Sequence, residues 1–154
     1  MKKGENLADF RESDLFQKVG LLFLNWWDYF DWDAYFPYGN DFAECLQDRR
    51  AFIVPILKKT ITMTKVDVEQ FTGEVIDTTG VKWDSEAGDP DNSHAKWGVE
   101  RTILQAMSYF GAVDLIKGEK GEYQIKQTVA FSLTDPLGKW LVGLLPNPRP
   151  INFS

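Results

Sequence analysis

The stretch from Asn92 to Leu145 constrains the fold more than any other part of the chain. Ser93 to Phe110 has the length of a helix, and Val99, Ile103, Leu104, Ala106, Met107 and Phe110 fall on one face of it. Asn92 or Ser93 is placed to cap its start, and Gly111 to end it. Two strand-like runs follow, Ala112–Lys117 and Glu122–Leu133, with Gly118–Gly121 as the turn between them. In the second run Tyr123, Ile125 and Phe131 supply the alternation, with a bulge near Gln127. Asp135 and Pro136 fit the cap and first position of a short closing helix built on Leu137, Trp140, Leu141 and Leu144. The fold class expected is therefore mainly α with a small antiparallel β-hairpin, an α+β chain.

The order of these elements, and the residues Tyr109-Phe110-Gly111 followed by Leu133-Thr134 and Pro136-Leu137-Gly138, resemble the C-terminal part of winged-helix domains. Such domains often carry a similar Tyr-Phe-Gly-Leu-Val course ending in Leu-Thr-Pro-Leu-Gly. Here Asp135 stands between the Thr and the Pro. The resemblance covers about residues 93–144 and implies a winged-helix unit behind an N-terminal helical extension rich in aromatics. It also implies a binding role. Many such domains contact DNA in transcription regulators, and others join proteins together.

Upstream, Leu7, Phe10, Leu15, Val19, Leu22, Phe23, Trp26 and Phe30 recur near the helical period, so residues 7–32 read as one long helix. Glu5, Asp9, Glu12 and Asp14 crowd its start, where the helix dipole favours negative charge. The run Leu21–Trp27 is apolar on more than one face, which suggests burial on two sides, one of them against a second subunit. Between Trp26 and Phe42 stand nine aromatics, with Asp28, Asp31, Asp33 and Asp41 among them and no Lys or Arg. The plain reading is a helix end folding back through an aromatic mini-core. The sharper one is a contact surface in which Trp27, Trp32, Tyr35 and Tyr38 meet a cationic or carbohydrate ligand or a basic protein.

Asp41–Lys59 reads as a second helix broken near Phe52–Val54 by Pro55. Cys45 lies on its apolar stripe. Thr60–Thr64 alternates like a short strand, and Thr64–Thr79 like a third helix in which Thr64 and Asp67 form a capping pair. Asp84–Asn92 is a polar connector that lacks the ligand pattern of a calcium loop. The tail Pro146–Pro150 should be extended. The expected organisation is a helical extension over residues 1–59, a winged-helix unit over 60–145 and a proline-rich tail over 146–154.

Net charge is -6 but unevenly spread: residues 1–92 carry 10 Lys and Arg against 18 Asp and Glu, and residues 93–154 carry 7 against 5. The winged part is thus mildly basic on an acidic body. On helix 93–110, His94, Trp97, Arg101, Gln105 and Ser108 face away from the apolar stripe, where a recognition helix carries its reading residues. Lys117, Lys120 and Lys126 lie near the hairpin tip, placed for phosphates or as edge lysines that block strand pairing.

No catalytic motif, metal site or cofactor loop is expected. The lone Cys45 rules out an internal disulfide, and Cys45 with His94 makes a poor case for a catalytic dyad. No apolar run reaches membrane-span length and the start lacks a signal-like segment, so a cytoplasmic chain is expected. The reading is a non-enzymatic winged-helix binding module. Double-stranded DNA is the first expected partner, because the acids lie outside the reading unit. A protein partner or a second copy at residues 26–42 is the alternative.

Overall fold

Helix α1 (Lys3–Asp28) is the longest element of the computed structural model, which describes the backbone of residues 3–120 and 126–148 and the side chains of 14–119 and 126–148. Phe23, Trp26 and Trp27 form its inner face, with Val19 and Leu24 packed at the edge. Its apolar stripe is wider than that face, and Leu15, Leu22 and Phe30 are exposed. The side chains of Leu7, Phe10, Glu5, Asp9 and Glu12 lie outside the described residues. Gly20 has a packing reason: a Cβ there would sit 2.8 Å from the Trp140 ring, where the last helix crosses α1.

The end of α1 explains the aromatic run. The N–H groups of Tyr29 and Phe30 both donate to the Asn25 carbonyl. The Trp26 carbonyl accepts instead from the indole Nε1 of Trp32 at 2.9 Å. Helix α2 (Trp32–Tyr35) then starts on Asp31, whose carboxylate accepts the Asp33 N–H. Gln47 of α3 (Phe42–Asp48) holds the reversal, donating to the Phe30 carbonyl while its Oε1 accepts the Trp32 N–H at 3.1 Å. Trp32 stacks on Trp26 and meets Trp27 edge-on, each at 5.3 Å between centroids.

The expected second helix divides into α3, a 3-10 turn at Arg50–Phe52 and α4 (Val54–Lys59). Pro55 occupies the first turn of α4, where no backbone donor is needed. Cys45 is exposed and not on a core stripe, because the stripe of α3 turns Phe42, Ala43 and Leu46 inward. The expected strand at Thr60–Thr64 is instead a 3-10 turn, Thr60–Thr62. The buried Thr60 hydroxyl donates to the Leu57 carbonyl at 2.6 Å and ties this segment to α4. The strand follows as β1 (Val66–Asp67). Helix α5 (Val68–Thr79) begins there, four residues later than expected, with Asp67 alone as its cap.

After the polar loop comes one helical rod: α6 (Ser93–Val99), a π-helical turn (Glu100–Leu104) and α7 (Gln105–Tyr109). Its inner face is the expected one, with Val99, Ile103, Leu104, Ala106 and Met107 buried. Its cap is not. Asn92 makes no side-chain cap, and Asp89 reaches back to accept the N–H groups of His94 at 2.9 Å and Ala95 at 3.0 Å. Burial pushes the Asp89 carboxyl up, but those two N–H donors and the His94 ring outweigh it and hold the group below the usual carboxylate range.

The hairpin is β2 (Val113–Lys120) and β3 (Lys126–Leu133). With β1 it makes an antiparallel sheet in the order β1-β3-β2, Val66 opposite Phe131 and Leu115 opposite Phe131 on the other side. The register shifts on both sides of Lys117. Gly118 belongs to β2 and not to a turn. Gly121 and Glu122–Ile125, Tyr123 included, are outside the described residues.

Helix α8 (Leu137–Leu144) is capped by Thr134 rather than Asp135: the Thr134 hydroxyl accepts the Gly138 N–H at 2.8 Å and donates to the Gly111 carbonyl at 2.6 Å. A Cβ on Gly138 would lie 1.9 Å from the Ala112 carbonyl oxygen, so only glycine lets α8 dock at this point. Arg149 and Pro150 of the tail fall outside the described residues. One core joins Trp27, Leu46 and Leu57 of the N-terminal helices to Ile103, Phe131 and Leu141 of the later unit.

Candidate functional site

Two surfaces carry the residues singled out in the sequence. The first is an open groove of about 630 Å³ between α6, the start of α5 and the hairpin. Trp97, Arg101, Lys117 and Lys126 all line it. His94, Gln105 and Ser108 are not in its described lining. His94 stacks on Trp83 at 5.7 Å, with its Nδ1 3.1 Å from Asp89. Gln105 accepts from Arg101 at 3.5 Å, and Ser108 donates back to the Gln105 carbonyl. The Lys120 side chain lies outside the described residues.

The described lining of this groove is balanced in charge. Against Lys96, Arg101, Lys117 and Lys126 stand Asp67, Glu69, Asp91 and Glu100. Lys96 is already hydrogen-bonded to Glu69, which holds its ammonium above the usual range. Lys117 donates to the Thr128 hydroxyl at 2.6 Å. A duplex presents a charge about every 1.7 Å along its axis, so a groove whose described lining carries no net charge attracts it weakly.

The second surface is an apolar groove of about 520 Å³ between the C-terminal half of α1 and α7. Trp26 and Ala106 are buried in its lining, Phe110 is partly buried, and Leu22, Tyr29, Phe30, Tyr35 and Tyr109 line it more openly. Tyr29 is 82% exposed and Tyr109 71%. Asn25 is the remaining residue of the described lining, which holds no carboxylate, Lys or Arg. Tyr35 and Tyr109 are neighbours in this lining. Burial pushes the Tyr35 phenol up, the Tyr109 contact adds to this, and Arg101 pulls the other way.

The four aromatics expected to meet a partner divide between core and surface. Trp27 and Trp32 are 1% and 0% exposed, so they are scaffold and present nothing to a partner. Tyr35 opens on the apolar groove. Tyr38 is exposed in a separate cluster with Phe36 and Trp97, beside Trp83. Tyr109 of the groove, Trp83 and the capping Asp89 were not among the expected site residues, and Leu22 entered only through the apolar stripe of the first helix. Tyr109 does sit inside the Tyr-Phe-Gly course that closes the helix.

No protein-family model, curated protein or solved structure matches this chain. No helix among the described residues is long and apolar enough to cross a membrane.

Proposed function

We propose that the chain is a non-enzymatic binding module of winged-helix type, and that its working surface is the apolar groove between α1 and α7, where it takes a protein partner. The winged-helix part of this reading is supported by the order β1, α5, α6–α7, β2, β3 and by the placing of β3 between β1 and β2. The observation that carries the partner is the run of exposed aromatics on an uncharged groove. Aromatic residues are enriched and charges depleted at the centres of protein interfaces. Tyrosines with a buried apolar floor are typical anchor residues.

The test is a photo-crosslinker in place of Tyr109, irradiated in cells. A protein adduct is the expected result, and the absence of any protein adduct refutes the reading. Duplex DNA at the other groove is the second reading, favoured by the meeting of Trp97, Arg101, Lys117 and Lys126 there. Salt-sensitive binding to mixed duplex, weakened by Arg101→Ala and Lys117→Ala, would establish it.

A further inference from the structure

We infer that the partner in the α1/α7 groove is a second copy of this chain, joined across a two-fold axis; this rests on the groove being a protein-contact surface.

Three observations point to self-association. The first is the stripe. Leu15 and Leu22 on α1, and Tyr29 in the turn that continues it, follow one another at steps of seven and are 63%, 59% and 82% exposed. Seven residues are about two turns, so the three form one ridge along the helix. The same helix and turn supply one wall of the groove through Leu22 and Tyr29. Ridge and groove lie side by side, the arrangement in which one patch can meet its own copy.

The second is charge. A two-fold contact sets one patch against its own copy, so a patch with a net charge repels itself. On a chain with 23 acidic residues, a groove with no ionised side chain in its described lining avoids that repulsion. A basic partner would want carboxylates in the lining, and an acidic one would want Lys or Arg. Beside the stripe, Asp14 and Lys18 already neutralise each other at 3.0 Å.

The third is area. With Phe30, Tyr35 and Tyr109, the stripe residues expose on the order of 750 Å², close to the roughly 800 Å² per partner of a standard interface.

The experiment is sedimentation equilibrium of the full chain from about 1 to about 100 µM, a range that captures even a weak interface of this size. The expected mass rises to twice the 17.7 kDa chain. Tyr29→Glu combined with Tyr109→Glu, at exposed positions, should weaken association at least about tenfold with an unchanged circular dichroism spectrum. Leu22→Asn should act in the same direction. Phe52→Glu, exposed but outside the groove, should leave the dimer intact. A monomer at the highest concentration, or groove variants as dimeric as the parent, overturns the inference. If the monomer's Tyr109 crosslinker captures a different protein in cells, only the second copy is lost. If it captures none, the protein-contact reading falls as well.

Discussion

Trp32 separates scaffold from surface within the aromatic run, and its replacement gives a worked magnitude. The ring is fully buried, stacks on Trp26 and donates to a helix carbonyl that the end of α1 leaves unpaired. Trp32→Ala removes both the packing and the bond, and a buried Trp→Ala change costs about 3–5 kcal/mol. Trp32→Phe keeps most of the ring but strands the Trp26 carbonyl in an apolar site, which adds about 1–3 kcal/mol for the unpaired group. Urea unfolding followed by far-UV circular dichroism measures both. Any self-association would add a concentration-dependent term, so the series should be run in the Tyr109→Glu background at one concentration. Loss of less than about 1 kcal/mol for Trp32→Ala would refute the claim that this tryptophan is core.

Other perturbations report on other joints. Gly138→Ala forces a methyl against the Ala112 carbonyl and should cost about 3 kcal/mol or more, read as a lower urea midpoint. Asp89→Ala removes the cap of α6 and should cost about 1 kcal/mol. Because the folded Asp89 carboxyl is held below its unfolded value, its stabilisation is complete above the ordinary carboxylate range and is lost as pH falls through the lowered folded value. The stability difference between parent and Asp89→Asn should therefore shrink on acidification below about pH 4; a difference that stays constant there would contradict the cap assignment. Fluorescence anisotropy with mixed duplex should show weak binding near physiological salt, since the acids of the α6 groove match its bases. Micromolar affinity there would favour the DNA reading.

The later unit was legible because its spacing is local. The Val99–Met107 face, the hairpin and the Leu137–Leu144 helix follow from periodicity and from glycine and proline punctuation. Caps were harder. Asp89, Asp67 and Thr134 do the work assigned to Asn92 or Ser93, to Thr64 and to Asp135. Several side chains near each helix start are chemically able to cap, and only loop geometry selects among them. The strand moved from Thr60–Thr64 to Val66–Asp67 for a similar reason: a threonine hydroxyl bonding back to its own helix defeats an alternating pattern.

The aromatic run was legible as unusual but not as divided. Trp27 and Tyr29 lie two residues apart, yet one is buried and the other is 82% exposed. That division depends on which side of the α1 end the Trp32 and Phe110 rings cover, which composition does not encode. The groove joins residues from about 22 to 35 with residues near 109, a contact far apart in sequence that periodicity within either segment cannot show.

The most direct measurement is hydroxyl-radical footprinting of the tyrosines, in cells and in purified protein diluted to a low concentration. Tyr38, exposed in a different cluster, serves as the internal reference. If protein covers the α1/α7 groove, Tyr29 and Tyr109 are protected in cells and become reactive on dilution, while Tyr38 reacts in both. Equal reactivity of Tyr29 and Tyr109 in the two conditions would contradict the account.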